Sequence, residues 1–284
     1  MKNGYPMQWG VAFCILLAGC GAGTESDADT QQAGAIEQAD VSLDKSEAET
    51  TADPNIDENA VALLKEMTSK VAGLQEFMVT LETGFDVLQP TGQKLEFGSR
   101  RTATIRRPDR ARFTYEERSG VAGELVFDGT DIYAYEREQN VYATIEQPGD
   151  IDTSIDLVTM ELGIPVPVSD FFAADPGEAL AAGVLEARDL GPSTINNQPG
   201  RQVALRKPGV DYQIWISDAT KLPMRTVITY YEEPGQPQFW AQFLSWETTP
   251  ANSDAAFEFS PPEGSERIRF GVFDTSEDAG EEAP

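Results

Sequence analysis

KLEFGSRRTATIRRPDRARFTYEERSGVAGELVFDGTDIYAYEREQNVY, residues 94–142, decides the fold. It consists of runs of alternating apolar and polar residues, cut by three turn signals and with little helical spacing. Leu95 and Phe97 lead into Thr102-Ala103-Thr104-Ile105-Arg106, and after Arg107-Pro108-Asp109-Arg110 the alternation resumes at Phe113 and Tyr115. Pro108 fixes that turn: it presets its own φ, pushes Arg107 toward extended backbone and leaves Asp109 free to bond nearby backbone. Leu125 and Phe127 precede a turn at Asp128-Gly129, Ile132, Tyr133 and Tyr135 precede a polar turn from Glu136 to Asn140, and Val141, Tyr142 and Ile145 follow. The stretch reads as an antiparallel meander that places much aromatic mass on one curved sheet.

Upstream, Ala60, Leu64, Met67, Val71 and Leu74 recur at steps of four and three, the stripe of an amphipathic helix with Asp57 as N-cap and Gly73 near its end. Phe77, Val79, Leu81, Phe85 and Val87 alternate as one long strand or a pair broken near Gly84, and Pro90-Thr91-Gly92 turns the chain into the meander. Downstream, Pro148-Gly149-Asp150 opens a second helical pattern through Leu162, closed by Gly163, Pro165 and Pro167, and Asp170-Phe171-Phe172 with Ala179 to Ala182 suggests a third. Strand signals return at Leu185, at Gln202 to Leu205 and at Tyr212 to Ile216, with turns at Asn196 to Gly200 and Lys207 to Gly209. Met224 to Tyr230 and Phe239 to Trp246 continue them. Helices that interrupt the strands instead of alternating with them predict an α+β fold, mainly antiparallel, with helices on one side of the sheet.

The 284 residues carry a net charge of −27, more than half of it before residue 59 or after residue 270. Such an acidic chain repels phosphate backbones and anionic headgroups, which disfavours both nucleic-acid binding and electrostatic membrane docking, and no nucleic-acid partner is expected. The chain has no histidine, so the commonest metal ligand, the usual general base and every Ser-His-Asp or Cys-His arrangement are absent. There is no Gly-rich phosphate loop and no G-x-S-x-G elbow. Numerous carboxylates leave an Asp/Glu-only hydrolase as the residual enzymatic reading; no metal or other cofactor is expected.

Lys2 precedes an apolar run, Val11 to Ala18, that is too short to span a bilayer and stands where a signal peptide belongs. Its end, Leu17-Ala18-Gly19-Cys20, resembles the bacterial lipobox, in which the cysteine is acylated and the signal is cut just before it. Cys14 and Cys20 are the only cysteines, so no disulfide framework is available to the folded part. The expected organisation is a signal peptide over 1–19, a lipidated Cys20 with an acidic tether over 20–54, a folded domain over 55–270 and an acidic tail over 271–284. Gly21 stands where inner-membrane retention signals carry aspartate, which points by resemblance to the outer membrane, facing the periplasm.

Arg107-Pro108-Asp109-Arg110, Phe127-Asp128-Gly129 to Tyr135, and Phe257-Glu258-Phe259-Ser260-Pro261-Pro262-Glu263-Gly264 resemble, in that order, the LolA family of periplasmic lipoprotein carriers. Asp211-Tyr212-Gln213-Ile214-Trp215 and the final Phe-x-Phe-x-Pro-Pro segment are more similar still to a family of predicted periplasmic proteins of unknown function in the same LolA/LolB-like superfamily. The resemblance implies an incomplete barrel whose concave face is apolar, covered by helices and able in some members to hold acyl chains. It also places Arg107 where the carriers have an arginine that hydrogen-bonds to the lid helices.

Candidates for the cavity wall are Phe97, Phe113, Tyr115, Phe127, Tyr133, Tyr135, Trp215, Phe239 and Trp246. Arg107 is the candidate lid or ligand residue. Arg100, Arg101, Arg106, Arg107, Arg110 and Arg112 form a local basic cluster, for which pairing with Glu96, Asp109, Glu116 and Glu117 is the plain reading. The expected function is a non-catalytic lipoprotein that binds a hydrophobic small molecule, a lipid or a lipoprotein acyl chain. The alternative is an envelope sensor that docks a protein partner with the same fold.

Overall fold

The computed structural model describes residues 55–161 and 168–269. The proposed signal peptide, Cys20, the tether and the acidic tail lie outside the described residues.

Helix α1 (Glu58–Ala72) starts where the Asp57 carboxylate accepts the Asn59 N–H at 2.8 Å, and it ends at Gly73. Its buried residues, Ala60, Met67, Thr68 and Val71, form a stripe of helical period. The chain then enters two strands of 13 residues, β1 (Glu76–Leu88) and β2 (Lys94–Arg106), followed by β3 (Arg110–Glu117), β4 (Ala122–Phe127), β5 (Asp131–Glu136) and β6 (Val141–Glu146). Helix α2 (Ile151–Asp156) is capped by a reciprocal box between Asp150 and Thr153 and continues as a wider turn, Leu157–Glu161, in which Thr159 bonds back to the Ile155 carbonyl. A short turn at Ser169–Phe171 and α3 (Pro176–Ala181) precede β7 (Glu186–Ile195), β8 (Gln198–Lys207), β9 (Val210–Ser217), β10 (Pro223–Tyr230) and β11 (Gln238–Glu247). The two-residue β12 (Glu266–Arg267) comes last.

All twelve strands join one curled sheet in the order β12-β6-β5-β4-β3-β2-β1-β11-β10-β9-β8-β7. Every pairing is antiparallel except the short one between β12 and β6, and β7 and β12 stand at opposite edges, so the barrel is incomplete. The expected turns fall between the meander strands; the hairpin from β7 to β8 is tighter than the sequence suggests, with only Asn196 and Asn197 outside the strands at φ of 50° and 61°.

Alternation sorts each strand into an inner face under the helices and an outer face. Inward go Phe77, Val79 and Leu81 of β1, Ala103 and Ile105 of β2, Ile214 and Ile216 of β9, and Phe239, Ala241 and Phe243 of β11, all buried. Each large side chain among them contributes about 1.5–3 kcal/mol by leaving water. One irregularity matters: the register of β1 on β11 slips between Thr80 and Leu81, so that Leu244 is bulged out. The bulge turns both Phe243 and Trp246 inward, where their rings stack at 5.5 Å.

The outer face is crossed by the C-terminal segment. Arg106 donates to Glu76, to Asp254 at 2.7 Å and to the Asn252 carbonyl at 2.8 Å, and its guanidinium lies 4.8 Å over the buried ring of Phe257. Arg112 pairs with Glu124 and donates to the Ala256 carbonyl, and Phe259 stacks on Tyr133 at 5.1 Å. Half of the basic cluster is consumed by pairing: Arg106 and Arg112 pair with carboxylates on neighbouring strands and the crossing segment and Arg110 with Asp109 beside it, whereas Arg100, Arg101 and Arg107 form no ion pair among the described residues. No helix among the described residues is long and apolar enough to cross a membrane.

Candidate ligand cavity

Beneath α2 the inner face carries small residues where its neighbours are large. Ala103 stands between Val79 and Phe113 across the strands, and Ala111 between Ile105 and Phe127. The space they leave is an apolar cavity of about 110 Å³. Its floor is built by Leu81, Phe113, Leu125, Phe127 and Ile132, and its roof by Ile151, Ile155 and Val158 with Val168 and Phe172. Phe172 closes one side, its ring 6.2 Å from Phe77 and 6.5 Å from Phe113.

The polar ties between roof and sheet are sparse. Ile151 N–H donates to the Pro108 carbonyl at 2.9 Å, which fastens the start of α2 to the turn between β2 and β3. The Asp152 carboxylate accepts the Ala174 N–H at 3.0 Å and so joins α2 to the segment after the Ser169–Phe171 turn. Arg107 sits at the same junction: its Nε donates to the Leu74 carbonyl at 3.3 Å and its guanidinium lies 5.8 Å from the Phe77 ring centroid. Nη2 is buried without a partner among the described residues. Burial pulls the Arg107 pKa down while the negative charge of Asp152 opposes the shift. Its side chain makes no hydrogen bond to α2; the backbone of Pro108 does.

Of the aromatic candidates, Phe113, Tyr115 and Phe127 line the cavity and the other six do not. Because Phe127 pairs with Ile132 and Leu125 with Ala134, Tyr133 and Tyr135 point to the outer face, onto Phe259. Trp215 is likewise on the outer face, its Nε1 donating to Ser193 Oγ. Phe239 and Trp246 belong to the inner core around β11, and Phe97 stacks on Phe85 at 5.9 Å near the exposed end of the long hairpin.

Two large polar side chains stand on the wall: Tyr115, a cavity candidate from the sequence, and Arg101, which sequence reasoning read only as a member of the basic cluster. Arg101 and Tyr115 face each other across β2 and β3, and both border the cavity. Burial lowers the pKa of the Arg101 guanidinium, and burial raises that of the Tyr115 phenol with help from Glu136. The alternation that put Phe97 and Ile105 inward also puts Arg101 inward, which was the available signal.

A second hollow of about 500 Å³ outside the roof is bordered by Asp152, Asp156, Asp170, Asp175 and Glu178. Most of these carboxylates serve local structure: Asp175 caps α3 through the Glu178 N–H, Asp152 holds Ala174, and Asp170 accepts from the Tyr212 hydroxyl at 3.3 Å. Among the described residues no three Asp, Glu or Cys side chains converge as metal ligands.

A family model described as "Predicted periplasmic protein (DUF2092)" matches residues 60–271. No curated protein matches the chain. Among solved structures, the Mycobacterium tuberculosis lipoprotein LppX is similar at 15% identity over 69% of this chain and 98% of that one, TM-score 0.42. LprF from Mycobacterium bovis is similar at 13% identity, 69% and 96% coverage and TM-score 0.42. A putative outer membrane lipoprotein-sorting protein domain from Vibrio parahaemolyticus matches at 11% identity, 70% and 96% coverage and TM-score 0.33.

Proposed function

The chain belongs to that family of predicted periplasmic proteins, and from this premise we propose that it is a non-catalytic, lipid-anchored envelope protein that holds an acyl chain between its sheet and α2. The observation that carries this reading is the apolar cavity under a roof with few polar ties. At about 110 Å³ it falls short of the roughly 300–1,000 Å³ of ordinary ligand pockets. In this reading the closed form admits the end of a chain, and the roof lifts to admit the rest. A chain burying ten methylenes would gain about 8 kcal/mol before ordering costs, enough for binding without any reactive group. The wall's polar groups, Arg101, Thr102, Thr114, Tyr115 and Ser154, include no carboxylate, which supports binding over hydrolysis.

The anchor in this proposal is acylated Cys20 in the outer membrane, facing the periplasm. Metabolic labelling with palmitate tests it: wild type takes up label and Cys20→Ser does not. Displacement of a fluorescent fatty acid from the purified chain tests the cavity, with saturable binding at one site expected. A chain that takes up no fatty acid or phospholipid would move the assignment to a protein-docking module.

A further inference from the structure

The cavity wall is mainly apolar, and among the described residues Arg101 is the one cation of its few polar members. Arg106, Arg112, Arg118, Arg188, Arg201 and Arg206 each meet a carboxylate. Arg101, like Arg100, Arg107 and Arg225, forms no ion pair among the described residues, but of these only Arg101 lines the cavity; its side-chain hydrogen bond runs from Nε to Ser99 Oγ at 2.9 Å, and Ser99 Oγ lies 3.0 Å from Thr83 Oγ1. The two Nη groups, the fork that matches an oxyanion, are left without a partner there.

Tyr115 stands directly across from Arg101 and its hydroxyl makes no hydrogen bond to another described residue. Gly123 of β4, opposite Tyr115, makes the phenol's position possible: a Cβ at that site would lie 2.6 Å from the hydroxyl oxygen. Two carboxylates lie near: the charge of Glu117 opposes the burial that lowers the Arg101 pKa, and Glu136 and Glu117 add to the burial that raises that of Tyr115, but neither forms an ion pair with Arg101. Glu117 accepts from Ser119 Oγ at 3.0 Å, Glu136 accepts the Glu138 and Gln139 N–H groups at 2.7 and 2.8 Å, and neither lines the cavity. A half-buried cation with donors free of protein partners beside an apolar space is stabilised by an incoming anion whose remainder is apolar.

We propose that the ligand is a single-chain amphiphile whose oxyanion head is bound by Arg101 and Tyr115, its chain running toward Phe113, Leu125 and Phe172. This deepens the acyl-binding reading and rests on it. The cavity's modest size fits one chain better than two.

The test titrates the chain as isolated from bacterial membranes, held in amphipol, with dodecanoate, dodecyl phosphate and 1-dodecanol. Wild type should bind at least one of the two anions about tenfold or more tighter than the alcohol, the carboxylate and phosphate arms telling the two head chemistries apart. Arg101→Met should erase that preference while the alcohol binds as before, and Tyr115→Phe should reduce it. Equal affinities for anions and alcohol in wild type would overturn the proposal and leave the acyl-binding cavity standing, a result that needs no variant to fold. Binding of none of the three would overturn the cavity reading itself.

Discussion

Filling the cavity separates ligand binding from folding. Ala103 is buried on the floor, and the space above it measures about 110 Å³. At roughly 24 cal/mol per Å³, such a void costs the empty protein up to about 2.6 kcal/mol. Ala103→Leu adds three carbons there and recovers part of that term, set against an overpacking cost of about 1–3 kcal/mol. The melting temperature should therefore stay within about 4 °C of wild type, since 1 kcal/mol shifts a domain of this size by about 2–4 °C. The same carbons exclude about three methylenes of ligand at about 0.8 kcal/mol each, so affinity for a fatty acid should fall roughly 30- to 100-fold. Paired calorimetric titration and thermal unfolding read both quantities. Unchanged affinity in a folded variant would refute the reasoning, and a parallel collapse of both would reduce Ala103 to a packing residue.

Other expectations follow from the geometry. Arg107→Ala removes the guanidinium wedged among the Leu74 carbonyl, Phe77 and Asp152; ligand release measured by stopped flow should accelerate about tenfold, with a stability loss near 1 kcal/mol. Phe257→Ala takes a buried ring from under Arg106 and should cost about 3–5 kcal/mol in urea unfolding, with little effect on ligand affinity once folded. Glu76 has its pKa lowered, first by the Arg106 hydrogen bond, so its folded value lies below its unfolded one. The stability it lends is present above the unfolded value, near 4.3, and is lost as pH falls through the folded value. Glu76→Gln should therefore destabilise by about 1 kcal/mol at pH 7 and by much less at pH 3.

The antiparallel plan was legible because period-2 alternation and turn chemistry are local. Pro90 to Gly92 and Asp128-Gly129 fall between strands, the turn expected from Glu136 to Asn140 begins one residue later because Glu136 closes β5, and Asp57 caps α1 as its side chain requires. The cavity wall was less legible because facing depends on register and on what lies behind the sheet. Tyr133 and Tyr135 alternate as well as Ile132 and Ala134 do; only Phe259, more than a hundred residues later, shows why the tyrosines belong outside. The bulge at Leu244 breaks the parity that would have put Phe243 and Trp246 on opposite faces. Arg101 was readable as one of a basic cluster, but its lack of a carboxylate partner emerges only once the neighbouring arginines have found theirs across strands.

The most direct test of the central claim is native mass spectrometry of the chain purified gently from a bacterial envelope, followed by identification of whatever dissociates. The account predicts one non-covalent acyl ligand per chain, lost in Ala103→Leu. A chain that emerges empty and takes up neither added fatty acids nor phospholipids would contradict it.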